Sequence, residues 1–319
     1  MENKNTVAVV MCTYNGEKYL REQLDSIMVQ TCAVSELIVQ DDCSTDATMD
    51  ILREYAARYP VMRIYRNKCN LGFNLNFKSA VMKATADFVA ISDQDDVWMP
   101  DKLERQLQAI GPYNICCSDH LRGTDIATAH TVSPRCSLGA LLFSGFAGHT
   151  MLLRRSFIQR DDVWVPGIYY DWSLALNAYF HGDKAITHLH EPLNWHRSHC
   201  GEAALLQNLS VYPDAGAVRP WQPYVKGYAH YRRLQRKQAW QNLYSHIHIR
   251  TAGRYRLHHT MSGLMLRRGI IPFLRLCCLC LRHRRDIYPD PRKTRGLMGC
   301  VRGFCYPLIF AHRCSLFDL

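Results

Sequence analysis

The sequence predicts an α/β fold, a mostly parallel sheet flanked by helices, followed by a basic helical C-terminal region. Three observations carry this expectation. Strand-like and helix-like segments alternate through the first 120 residues, as βαβ units require. The strand-like runs are continuously apolar, which suits a sheet covered on both faces. The charge balance then changes after residue 200. Residues 1–200 hold 19 Lys and Arg against 23 Asp and Glu, a net −4, whereas residues 201–319 hold 20 against 5, a net +15.

The elements follow in order. "TVAVVMC" (6–12) is a β-branched run, and "GEKYLREQLDSIMVQ" (16–30) places Leu20, Leu24, Ile27 and Met28 at helical spacing. "ELIVQ" (36–40) is the next strand, and Ser44 and Thr45 are expected to cap the helix over 44–59. "VMRIYR" (61–66) is a strand, 76–86 a helix and 87–92 a strand. Residues 100–110 form a helix entered through Pro100, with Asp101 as a capping residue. Further on, 148–156 predicts a strand running into a turn. Residues 169–182 predict a helix closed by Gly182, and 185–201 a strand with a return loop. Residues 120–147 yield no assignment.

Length and composition bound the rest. At 319 residues with 48% hydrophobic content, the chain is globular with a core and divides into a body, 1–205, and a basic tail, 206–319. The opening "MENKNT" predicts no secretory leader, and no uncharged apolar stretch is long enough for a spanning helix. Fourteen scattered cysteines read as reduced thiols, and Cys277 and Cys280 as small buried hydrophobes, not a zinc pair.

In an open α/β sheet, ligands bind beyond the carboxyl ends of the strands. Those ends carry "CTYNG" (12–16), "QDDCSTD" (40–46) and "SDQDDVW" (92–98). Asp93 and Asp95, one residue apart beside an apolar strand, repel each other unless a cation sits between them. A hard divalent ion with oxygen ligands and a substrate diphosphate relieves this.

These residues carry a resemblance. "VAVVMCTYNGEKYLREQLDSIMVQT", "LIVQDDCSTDAT", "NLGFNLNFKSAVMKATADFVAISDQDDVW" and "YYDWSLAL", in this order and spacing, resemble the family 2 glycosyltransferases, closest to the bacterial rhamnosyltransferase-like members. The resemblance covers about residues 5–200 and implies a GT-A, Rossmann-like catalytic domain. It implies that Thr13, Tyr14 and Asn15 line a nucleotide pocket, and that Asp41 and Asp42 recognise the base or ribose. Asp93-Gln94-Asp95 matches the family's DxD motif, which gives Asp93 a ribose-side contact and makes Asp95 a ligand of Mg²⁺ or Mn²⁺. Asp96 and Trp98 are expected to shape the turn. Asp171 matches the general base. It also stands where a helix N-cap would. His199, in "WHRSHCGE", is similar to a family loop whose histidine approaches the metal or the diphosphate. His149 is left between facing the acceptor and packing, and Lys78 between phosphate and solvent.

The implied activity is inverting, metal-dependent transfer of one sugar from a nucleotide-sugar donor to a saccharide hydroxyl, with a lipid-linked acceptor. The rivals are a silent membrane-bound scaffold and a sugar-phosphate nucleotidyltransferase. The second would want a glycine-rich triphosphate loop that "CTYNGEKY" lacks. The basic tail, with Arg-flanked apolar stretches, predicts a peripheral anchor on an anionic membrane surface at the cytoplasmic face. It shows no nucleic-acid module, and nucleic acid is not an expected partner.

Overall fold

The computed structural model describes residues 5–182, 184–199 and 221–313. The expected division at 205/206 lies outside the described residues. The strands are β1 Val7–Thr13, β2 Glu36–Asp41, β3 Met62–Arg66, β4 Phe88–Ser92, β5 Val97–Trp98, β6 Ile115–Gly123, β7 His130–Val132, β8 Met151–Arg154 and β9 Ile186–Arg197. They form one sheet in the order β3-β2-β1-β4-β8-β6-β9-β5, with β7 paired to β6.

The half predicted from the sequence is parallel: β1 lies between β2 and β4, and β3 lies outside β2. All six residues of β2 and all five of β4 are buried, and their apolar runs, Leu37–Val39 and Phe88–Ile91, are continuous instead of alternating. Helices α1 Leu20–Met28, α2 Thr48–Arg58, α3 Phe73–Val81 and α4 Lys102–Ile110 connect or follow them. Leu20, Leu24 and Ile27 form the buried stripe of α1 and join Val9, Met11, Leu37 and Val39 in one core cluster.

The other half of the sheet is mixed. β8 runs antiparallel to β4 and to β6, β9 parallel to β6, and β5 antiparallel to β9. β6 was missed in the sequence because its apolar start, "ICC", gives way to Ser118, Asp119 and His120, polar residues that are buried here.

Local boundaries shift for identifiable reasons. Helix α2 starts at Thr48, not at Ser44. The Ser44 hydroxyl is turned onto Asp41, and the Asp46 carboxylate accepts from the Thr48 N–H at 3.0 Å. Helix α3 begins at Phe73, three residues early, because Gly72 makes the entry turn at φ +76°. Asp101 stands at the N-cap of α4 but its side chain makes no capping bond. The predicted 169–182 helix is Tyr170–Ala178, and Gly182 follows in a turn at φ +137°.

The chain divides into two compact units. The first comprises 1–134, 146–164 and 177–199 and contains the whole sheet. The second comprises 135–145, 165–176 and 200–319. Its described helices include Gln222–Leu234, Gln238–Thr251, Arg256–Leu266, Ile270–Arg282, Gly296–Phe304 and Tyr306–Arg313. Its core is aromatic. Trp240 is fully buried and packs against Tyr231 (5.4 Å between ring centres), Tyr244 (4.5 Å) and Phe310 (6.1 Å). Among the described residues no two cysteines are joined by a disulfide. Burial pushes the Cys277 thiol up to about 12 and that of Cys280 well above its ordinary value, so both pack as protonated hydrophobes. No helix among the described residues is long and apolar enough to cross a membrane.

Candidate active site

Because β1, β2 and β4 are parallel and in register (Thr13 beside Asp41, Met11 beside Ser92), the segments after them emerge at one edge of the sheet. The structure thus brings Thr13–Asn15, Asp41–Asp42 and Asp93–Asp96 to a common edge.

The loops after β1 and β2 are tied to each other by side chains. The Thr13 hydroxyl donates to Asp41 Oδ1 at 3.1 Å. Asn15 adopts φ 48°, its N–H donates to Ser44 Oγ (2.9 Å), and its Oδ1 accepts from the Thr45 N–H (2.8 Å). Tyr14 is 50% exposed at this edge. Asp41 and Asp42 are both buried. Asp41 accepts from the Ser44 N–H (3.0 Å) and lies 3.4 Å from Arg66 Nε. Asp42 accepts from Asn67 Nδ2 (2.6 Å) and from the N–H groups of Leu71 and Gly72 (2.8 and 2.9 Å). In this structure both carboxylates hold the loops that shape the cleft.

Gln94, between the two DxD carboxylates, acts as a clasp that the sequence did not disclose. Its Oε1 accepts from the Tyr14 N–H (2.9 Å) and its Nε2 donates to the Tyr14 carbonyl (3.1 Å). A Cβ on Gly16 would overlap the Gln94 carboxamide, so this approach needs glycine.

Asp95 and His199, assigned together to a metal, are 104 residues apart yet adjacent. His199 Nε2 lies 2.8 Å from Asp95 Oδ2, and each side chain is about one-fifth exposed (17% and 20%). The return strand β9 delivers the histidine. Arg197 anchors that delivery: its guanidinium stacks over Tyr19 (4.5 Å) and Trp195 (4.3 Å), pairs with Glu22 of α1, and donates to the Asp95 carbonyl at 3.3 Å. Tyr19 also lies against the His199 ring at 4.9 Å. A carboxylate oxygen and an imidazole nitrogen converging at a partly open edge are a donor pair that fits Mg²⁺ or Mn²⁺ with a substrate diphosphate. Cys200–Glu202, the end of the same motif, lies outside the described residues.

Asp96, beside Asp95, points the opposite way, into the interior. It is 1% exposed. Its Oδ1 lies 3.0 Å from His196 Nδ1 and its Oδ2 lies 3.2 Å from His149 Nδ1. Asn194 Nδ2 donates to the same Oδ2 at 3.2 Å. The His149 and His196 rings stack at 4.9 Å, with His120 edge-on to both. Lys102, fully buried, donates to the His149 carbonyl at 3.1 Å. Desolvation governs the charges here. It raises the Asp96 carboxyl, lowers Lys102 to about 8, and holds His149 well below its ordinary value and His120 at about 3. His149 thus packs inside the first unit. Lys78 pairs with Asp161 at 3.1 Å.

Asp171 belongs to the second unit, in the first turn of the helix Tyr170–Ala178. Its Oδ1 accepts from the Trp172 N–H at 2.7 Å. The next side chain, Trp172, is buried with its indole N–H on the Leu141 carbonyl (2.7 Å).

Residues 8–158 match the family model described as glycosyl transferase family 2. The chain carries a family 2 glycosyltransferase domain. An uncharacterized protein of Mycobacterium tuberculosis is 32% identical over 205 residues, which are 60% of this chain and 59% of that protein. The dTDP-rhamnosyl transferase RfbG of Shigella flexneri is 33% identical over 112 residues, 34% of this chain and 39% of RfbG. The chain therefore spans about three-fifths of the length of the first of these relatives. Among solved structures, Staphylococcus aureus TarS (residues 1–349) in complex with UDP-GlcNAc aligns with a TM-score of 0.52 at 17% identity, covering 95% of this chain and 89% of that one. A mannosyltransferase from Pyrobaculum calidifontis in complex with GDP-Man and Mn²⁺ aligns with a TM-score of 0.51 at 16% identity, covering 99% and 88%. At such identities the likeness shows the fold, which is of the GT-A type. The glycosyltransferase domain thus has its strand-end loops where this fold binds ligands.

Proposed function

We propose that the protein transfers one sugar from a nucleoside-diphosphate sugar to a saccharide hydroxyl, with inversion at the anomeric carbon and a divalent ion held by Asp95 and His199. The observation that carries this reading is the Asp95–His199 pair at the strand edge of a family 2 domain. Tyr14 and Asn15 face the nucleotide, and Asp93 its ribose side. Asp41 and Asp42 act by fixing the two loops that bound the nucleotide, since their oxygens are occupied by protein donors. A bound Mg²⁺ or Mn²⁺ supplies charge neutralisation at the departing diphosphate. Asp171 takes the proton of the attacking hydroxyl as general base. A single displacement inverts the configuration and needs no covalent intermediate.

The acceptor we propose is a lipid-linked saccharide, and the basic tail holds the protein on the anionic cytoplasmic face of a membrane. The similar proteins support only the donor side of this reading. RfbG's own name speaks of dTDP-rhamnose, and the two structural neighbours carry UDP-GlcNAc and GDP-Man.

The test is turnover of UDP-, dTDP- and GDP-sugars with Mg²⁺ or Mn²⁺. One donor should be hydrolysed or transferred. Asp95→Ala and Asp171→Ala should each lower kcat by about 10²-fold or more with an unchanged circular dichroism spectrum. An active Asp171→Ala enzyme removes the base assignment, and silence with every donor favours the scaffold.

A further inference from the structure

The second unit contains an open groove of about 750 Å³ whose lining is mostly apolar. Its walls are the helices Arg256–Leu266 and Ile270–Arg282, joined by a tight turn at Gly269 (φ +118°). Leu264, Ile271, Leu274 and Leu279 form the apolar surface, and Ile271 and Leu274 are 65% and 44% exposed. Arg267, Arg275 and Arg282 line the same groove and are all exposed. Arg275 and Arg282 share one helix and are spaced about 10 Å apart by helical rise.

We infer that this groove binds an anionic lipid, its phosphate on the arginines and its chain along the Leu264–Ile271–Leu274 surface. Charge complementarity selects the anion. Residues 221–285 contain 14 Lys and Arg and no Asp or Glu, so the arginines have no carboxylate partner within that whole stretch of sequence. The apolar surface selects the chain, because exposed aliphatic residues beside arginines suit the boundary between headgroups and acyl tails. Ile270, just before the groove, is also 53% exposed and extends that surface.

A single-stranded nucleic acid would want aromatic faces for its bases. The lining holds no Phe, Tyr or Trp. Its only rings, His248 and His259, stack on each other at 3.8 Å, and each Nδ1 lies 2.9 Å from the other residue's carbonyl. A free phosphate would satisfy the arginines but leave the aliphatic surface in water.

This inference rests on the membrane half of the proposed function. Its test uses the full chain and a photoreactive long-chain alkyl phosphate in phosphatidylcholine vesicles, with the labelled peptides mapped by mass spectrometry. Label is expected within 256–282. It should fall about tenfold or more in Arg275→Glu/Arg282→Glu, in line with the gain per cation near an anionic surface. It should fall similarly in Ile271→Asp/Leu274→Asp. All four positions are exposed, so the fold should survive, as circular dichroism will check. Label elsewhere in the chain, or undiminished label in both variants, overturns the inference. So does full displacement by inorganic phosphate, which means an anion site only, or by single-stranded RNA, which means a nucleic-acid site. Equal labelling by the uncharged long-chain alcohol would show that the phosphate has no role and would overturn it too. Donor-sugar hydrolysis without lipid, measured on the same preparations, separates the two ideas. Hydrolysis without labelling removes the groove assignment alone, and labelling without hydrolysis removes the transferase reading alone.

Discussion

Gly16 and Gln94 show how closely this sheet edge is fitted. The Gln94 carboxamide clasps the Tyr14 backbone with two bonds, and Gly16 leaves the room for it. Gly16→Ala should therefore displace Gln94 and break the clasp, costing about 1 kcal/mol and, on the proposed function, raising KM for the donor. Gln94→Ala loses the clasp but removes the clash. The double variant should then be no worse than Gln94→Ala, a non-additivity that a denaturation cycle reads directly. Additive losses would show that Gly16 serves something other than the clasp. The neighbouring carboxylates divide the work by direction: Asp95 turns to the partly open edge and His199, and Asp96 turns inward.

At the scale of elements, Asp96 fastens three pieces of chain. It joins the turn after β4 to β9 through Asn194 and His196, and to the turn before β8 through His149. Since β9 leads through Arg197 to His199, this knot fixes the strand that brings His199 to Asp95. Asp96→Ala leaves that network without its acceptor and should cost about 3 kcal/mol or more. The same knot makes stability acid-sensitive. His120 is held at about 3, and its buried Nδ1 has no hydrogen-bond partner. The folded state keeps it neutral, while the unfolded chain protonates it below its ordinary 6.5. The unfolded state then binds more protons between about 3 and 6.5, so stability rises with pH across that window and is lost on acidification. The slope is up to about 1.4 kcal/mol per pH unit for this one group. Denaturant titrations at several pH values should show the slope, and His120→Phe should flatten it. An unchanged slope in that variant would assign the acid sensitivity to other groups.

For the whole molecule, the two units have chemically different interiors. The first is an aliphatic α/β core around β1, β2 and β4, and the second is built on Trp240, Tyr231, Tyr244 and Phe310. Trp240→Ala should cost about 3–5 kcal/mol in the second unit, measured as a lowered denaturation midpoint of its aromatic signal. The charge division follows the sequence: the whole excess of cations lies beyond residue 200.

How much of this was legible in advance depends on how far apart the interacting residues lie. The parallel strands and α1 could be read because burial on both faces writes continuous apolar runs, and helix packing writes a 3.6-residue spacing, each within a few neighbours. The strand-end carboxylates could be read once those strands were placed. β6 could not, because its buried Ser118, Asp119 and His120 carry no apolar signal. The Ser44 cap failed for a similar reason, since Asp41 competes for its hydroxyl.

By itself, the sequence determined the α/β rhythm, the three loops at one sheet edge, the family likeness and the basic character of the tail. Only the tertiary structure decided which of three adjacent carboxylates meets His199 and which is buried among His149, His196 and Asn194. It also decided that Gln94 clasps Tyr14, and that aliphatic and arginine side chains of the tail share one groove. The reason is physical. Local sterics and burial fix an element from its neighbours in sequence, whereas a hydrogen bond across 98 or 104 residues exists only after strand order and register have brought its two ends together.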